Sequence, residues 1–175
     1  EANPIGVMLN AIVEKGVSSD NAEAMGKIVA LYERMEDRRS EQAFAAAKAA
    51  LQAELPAVTA TRIIPNKDGT TRSTFAAFED IMEEVGPHLT KHGFSVSFDI
   101  NVLDGSPSRM EAVCKLTHVG GHSETNKFAV RVGSGPPGAS DAQADTGARS
   151  TARRGALCDA INIVVDHDTD ARSEG

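Results

Sequence analysis

The sequence predicts an α+β fold: N-terminal helices, a β-hairpin, a helix, then a three-stranded antiparallel meander covered by a C-terminal helix (β-β-β-α). Two observations carry this prediction. Apolar residues recur at helical spacing through residues 19–55 and 78–92, alternate with polar ones after Gly93, and return to helical spacing beyond Gln143. Turn signals separate the changes of period, at Pro56, Asp68-Gly69, Gly93, Asp104-Gly105 and Gly120-Gly121. A length of 175 residues with a 41% hydrophobic share suffices for one domain with a core and a helical extension. Aromatics are only 4% and Trp is absent, so Ala, Val, Ile and Leu must build most of that core.

Residues 4–15 read as a short helix closed by Gly16. Ser19 or Asp20 then caps a long helical region that runs to Leu55, where Pro56 stops it. Met25, Ile28, Val29, Leu31, Tyr32 and Met35 recur at helical spacing along it, as do Phe44, Ala47, Ala50 and Leu51. The charged block 36–41 between them is either a bend or an exposed turn of one long helix. Residues 58–64 and 70–75 flank a loop whose Asp68-Gly69 is a strong hairpin signal. Phe78–His92 is an amphipathic helix with the stripe Phe78, Ile81, Met82, Val85 and Leu89. Gly93 ends it, and Pro87 inside it is a candidate kink. Phe94, Val96 and Phe98 then alternate with Ser95, Ser97 and Asp99, opening a strand that continues towards Leu103. Met110–His118 and Ser123–Val132 complete the meander, and a Gly/Pro-rich loop, Gly133–Ser140, leads to the last helix. The expected organisation is a helical region over 1–56, an α+β core over 57–168 and an acidic tail over 169–175.

The net charge of −7 argues against a protein that coats nucleic acid over its whole surface. Its distribution says more. Residues 109–154 hold Arg109, Lys115, Lys127, Arg131, Arg149, Arg153 and Arg154 against only Glu111, Glu124, Asp141 and Asp145, while acids outnumber bases everywhere else. A local positive field bounded by acidic segments can hold phosphates while limiting nonspecific contact. The bland alternative is that these side chains decorate solvated faces. No apolar run approaches the ~20 residues of a membrane span, so no membrane partner is expected. With no secretory signal and only Cys114 and Cys158, a reduced, cytoplasmic protein is expected; the opening Glu1 reads as a trimmed start.

The densest signal is residues 143–165. Arg149 and Arg153 are one helical turn apart, Arg154 is displaced from Arg153 by about 100°, and Ala148, Ala152, Ala156 and Leu157 form a closely packing opposite side. Guanidinium groups beside such a helix can hold phosphates at a fixed place. Lys115, Lys127 and Arg131 are expected to extend the track across the sheet. Pairing of Arg153 or Arg154 with Asp145, with Asp159 or with a neighbouring subunit's acid is the structural alternative, and at least one of the two is expected to be structural.

This segment resembles the signature of the Erf family of phage single-strand annealing recombinases. The matching residues are Gln143, Gly147, Ala148, Ser150, Ala152, Arg153, Arg154, Ala156 and Leu157; Thr151 and Gly155 stand where the family usually has Tyr. The helix around Ser40–Leu55, the Phe75–Gly93 segment, and Leu116-Thr117-His118 with Gly120-Gly121 occur in the family's order, so the resemblance covers roughly 40–168. It implies single-stranded DNA binding and annealing in recombination, and a homo-oligomer, either ring or helical array. A host single-strand-binding protein is a further expected partner. Annealing needs no covalent chemistry and no cofactor, with Mg2+ entering only as a counterion of DNA. The N-terminal helices are the expected subunit contacts.

Other motifs weigh less. Gly133-Ser134-Gly135-Pro136-Pro137-Gly138 spells a dinucleotide fingerprint, but its prolines lack the amide donors of a pyrophosphate cradle and its setting is antiparallel. His88 with His92, and His118 with His122, have metal-compatible spacing but no clear third ligand. No catalytic residue is assigned. A metal-dependent nuclease would have to draw on Glu79, Asp80, Glu83 and Glu84 with the acids of 166–170. A structural oligomer whose arginines make only ion pairs between subunits is the third reading.

Overall fold

A computed structural model of the chain describes residues 4–16, 19–66, 68–105, 108–133 and 140–166. The elements are α1 (Pro4–Glu14), α2 (Ser19–Glu54), β1 (Val58–Thr59), β2 (Arg62–Pro65), β3 (Thr71–Phe75), α3 (Phe78–Lys91), β4 (Phe94–Leu103), β5 (Arg109–His118), β6 (Ser123–Arg131), α4 (Asp141–Ile161) and β7 (Val165–Asp166). The predicted α+β architecture is the observed one. No described helix is long and apolar enough to cross a membrane. The acidic tail and most of the Gly/Pro-rich loop lie outside the described residues.

The chain forms two compact units, 1–43 and 44–175, which divide within α2. In the first, α1 and the N-terminal turns of α2 bury none of their described side chains. The charged block 36–41 is continuous helix and not a bend. Arg39 pairs with Glu36 and Lys27 with Glu23, at the i,i+3 and i,i+4 spacings that support an exposed helix.

In the second unit, β4, β5 and β6 form an antiparallel sheet in that order. Its register follows from the alternation, because a one-residue slip would turn every apolar side chain to water. Val96 pairs with Leu116, Phe98 with Cys114 and Ala112 with Phe128. Phe94, Met110, Ala112, Cys114 and Leu116 are buried on one face. The last turns of α2, together with α3 and α4, cover that face. Phe44 of α2 meets Phe94 edge-on, Phe78 of α3 meets Phe98, and α4 lays Gly155 against Phe128. Phe44 and Leu51 are buried, so the last turns of α2 belong to this core.

Local chemistry sets the boundaries. Gly93 takes φ +73° after α3, and a Cβ there would stand 2.9 Å from Val119 Cγ2, so only glycine fits this tight exit. Ser140 caps α4 by accepting from the Gln143 N–H, and the Gln143 side chain accepts the Ser140 N–H in return. Asn162, in the left-handed region at φ +55°, ends α4.

The expected single strand over 58–64 is two strands. Val58 and Thr59 pair in parallel with Val165 and Asp166, whereas Arg62–Pro65 pairs antiparallel with Thr71–Phe75. Val58 and Ala60 are buried. Both cysteines are free, and burial pushes the Cys114 thiol up to about 11.

Candidate nucleic-acid interface

The small-residue stripe of α4 is buried at Ala148, Ala152, Ala156, Leu157, Ala160 and Ile161. The close approach this allows fixes where the three arginines emerge. Arg149 is exposed and makes no hydrogen bond or ion pair with a described residue. Arg153 is half-buried, its guanidinium carbon 4.1 Å from the Phe78 ring centroid and 4.8 Å from that of Phe98. Its Nε is buried without a hydrogen-bond partner, so the negative ring faces supply the electrostatic compensation. Arg154 lies 5.5 Å from the Phe75 ring centroid and donates from NH1 to the Ala76 carbonyl at 3.0 Å.

None of the three pairs with a carboxylate among the described residues. The structural alternative had Arg153 or Arg154 pairing with Asp145 or Asp159; aromatic rings and one carbonyl are the partners found instead. A ring face offsets a cation's charge only partly. The Arg153 and Arg154 guanidinium groups are therefore held in place while keeping charge for another ligand.

The expected continuous track across the sheet is not what forms. On β5 the buried residues are Met110, Ala112, Cys114 and Leu116, so Arg109, Glu111, Val113 and Lys115 point to the opposite face. Lys127 stands across from Val113 and Arg131 across from Arg109. Lys115, Lys127 and Arg131 thus belong to the face that α4 does not cover. The signal was present in the alternation itself: if Cys114 and Leu116 face a helix, Lys115 cannot.

Arg131, the last residue of β6, also borders a hollow between that strand and α4, with Gln143, Gly147 and Thr151. A second hollow, of about 350 Å³, is lined by Phe75, Gly147, Ser150, Thr151 and Arg154. The two share Gly147 and Thr151 and so run along one side of α4. The small Thr151 leaves that side open. At Gly155, the other position where the related family has Tyr, the Phe128 ring fills the space: a Cβ there would meet its Cγ and Cδ1 at 2.5 Å.

Several of the other candidates have partners elsewhere, although the buried Nδ1 of His88 has none among the described residues. Asp80 takes two hydrogen bonds from Arg62, each 2.7 Å, and one from the Ala77 N–H, and its carboxyl is held down to about 2, chiefly by Arg62. His92 and Lys91 both contact Glu54. His118 accepts the Gly120 N–H at Nδ1 and packs against Phe94, while His122 packs edge-on against Phe44. Among the described residues no three His, Cys, Asp or Glu side chains converge on a metal-sized site.

Comparison with protein families matches the model of the ERF superfamily over residues 44–175. The chain belongs to the ERF superfamily. The match begins at Phe44, the residue at which the second compact unit begins. ERF proteins are a DNA-annealing family, and membership points to a role in phage recombination. Comparison with curated proteins and with solved structures returns no match.

Proposed function

We propose that this ERF protein binds single-stranded DNA without regard to sequence and anneals complementary strands as a homo-oligomer, without nucleotide hydrolysis. The observation that carries the reading is the arginine helix. Arg153 and Arg154 are held by rings and a carbonyl, Arg149 stands exposed one turn before Arg153, and no described carboxylate neutralises any of the three, in a chain whose net charge is −7. Arg149 and Arg154 would take the phosphates, Arg153 would supply fixed charge, and the hollow from Arg131 to Arg154 would seat the sugar-phosphate backbone. Because Phe75, Phe78 and Phe98 lie against guanidinium groups, affinity is mostly electrostatic rather than built on base stacking.

Annealing then follows from screening and proximity. The protein lowers strand repulsion, and duplex stacking supplies the driving force. One subunit's groove is short, so a ring or helical array gains by effective concentration. The helices of residues 1–43, which expose Val7, Val13, Leu31 and Met35, offer apolar surface for subunit contacts. A host single-strand-binding protein is a natural partner, because it must be displaced from the strands being paired.

Labelled single strands incubated with the protein and Mg2+ test the reading. Pairing with a complement at unchanged strand length is the expected result; shortening of the strands indicates a nuclease. Arg149→Glu separates a structural role. Loss of assembly with retained DNA binding would overturn the assignment of Arg149.

A further inference from the structure

The sheet face that the helices leave bare carries its own unneutralised charge. Arg109 and Arg131 stand directly opposite each other across β5 and β6, both exposed, with no acidic partner among the described residues. Like charges directly opposed destabilise a strand pair, and an anion lying between these two would relieve it. Among the described residues Lys115 is also exposed and unpaired, and Lys127 meets only Glu111, at 3.8 Å with most of its side chain in solvent. Asp99 and Glu111 are the only acids contributed to this face by the three strands, so four cations face two acids. Ser95, Ser97, Thr117, Ser123 and Thr125 fill the same face with hydroxyls. From Arg109 to Lys115 the surface runs about 20 Å along β5.

We propose that this bare face is a second nucleic-acid surface, which captures the backbone of the incoming complementary strand while the α4 side holds the first. The proposal rests on the annealing reading and adds where the second strand goes. Two polyanions on one strip would repel. Exposed charges more than about 8 Å apart are largely screened at physiological salt, so a strand on the far side of the sheet repels the first less than one on the same strip would. Capture there raises the effective concentration of the second strand. The edge strand β6, with Arg131 at its end bordering both surfaces, is where the two strands meet.

Two exposed positions outside the α4 side test this: Arg109→Glu, and Thr125→Glu, which sets a carboxylate opposite Lys115. Affinity for one labelled strand and the annealing rate of the pre-loaded protein are measured side by side. The double variant should bind the first strand within twofold of wild type and anneal at least tenfold more slowly. Arg109→Gln with Thr125→Gln, checked by its melting curve, gives an intermediate rate and covers the case in which charge reversal disturbs the sheet. Annealing at the wild-type rate in both variants overturns the proposal. So does a parallel fall in affinity and rate, which means one shared surface. A wild-type protein that binds a strand but never speeds pairing defeats the annealing reading itself, and that control separates the two failures.

Discussion

Gly155 and Phe128 decide how α4 sits on the sheet. Helix propensity favours alanine over glycine by about 1 kcal/mol. Here a Cβ would stand 2.5 Å from the root of the Phe128 ring, and overpacking of that kind costs about 1–3 kcal/mol. Gly155→Ala is therefore expected to lower the melting temperature, with Phe128→Ala in the same chain relieving much of the added loss; a double-mutant cycle measures it. Arg153→Lys keeps the charge but loses the flat surface lying over Phe78 and Phe98, an expected loss of about 1 kcal/mol read in the same melts. Neither contact was legible in the sequence. Phe78 and Phe98 read as core stripes and Arg153 as a phosphate ligand, because one residue's spacing cannot tell a guanidinium over a ring from one in solvent.

At the scale of elements, the long helices and the meander were legible because their periods repeat over 9 residues or more. The parallel pairing of Val58–Thr59 with Val165–Asp166 was not: two-residue strands more than a hundred positions apart leave no local period. The break between β1 and β2 was hidden for the same reason. The start of α3 makes a pH prediction. Asp80 is held down to about 2, chiefly by its hydrogen bonds from Arg62, against an ordinary carboxylate value near ~3.9. A depressed carboxylate contributes stability that is complete above its unfolded value and disappears as pH falls through its folded one. The melting-temperature gap between wild type and Asp80→Asn should be constant above about pH 5 and close between about pH 4 and 2. A gap that widens on acidification would contradict the Arg62 contact.

For the whole molecule, the decisive property is a positive region inside an acidic chain. The sequence located the cations within residues 109–154 and, through the resemblance, pointed to the family to which the chain belongs. It left their division between two faces unread, since the faces follow only once the helices are known to cover a single side. Division also changes what a binding curve should report. If three phosphates are neutralised on the α4 side of each subunit, log affinity for a single strand falls with log salt at a slope of about −2, or about twentyfold between 50 and 200 mM.

That slope, measured for wild type and for Arg149→Gln with Arg154→Gln, tests the central claim that the α4 arginines grip the sugar-phosphate backbone. The expected result is a slope near −2 in wild type that shrinks to about −0.7 in the variant, one phosphate remaining. A flat salt response, or the same slope in both proteins, would contradict it.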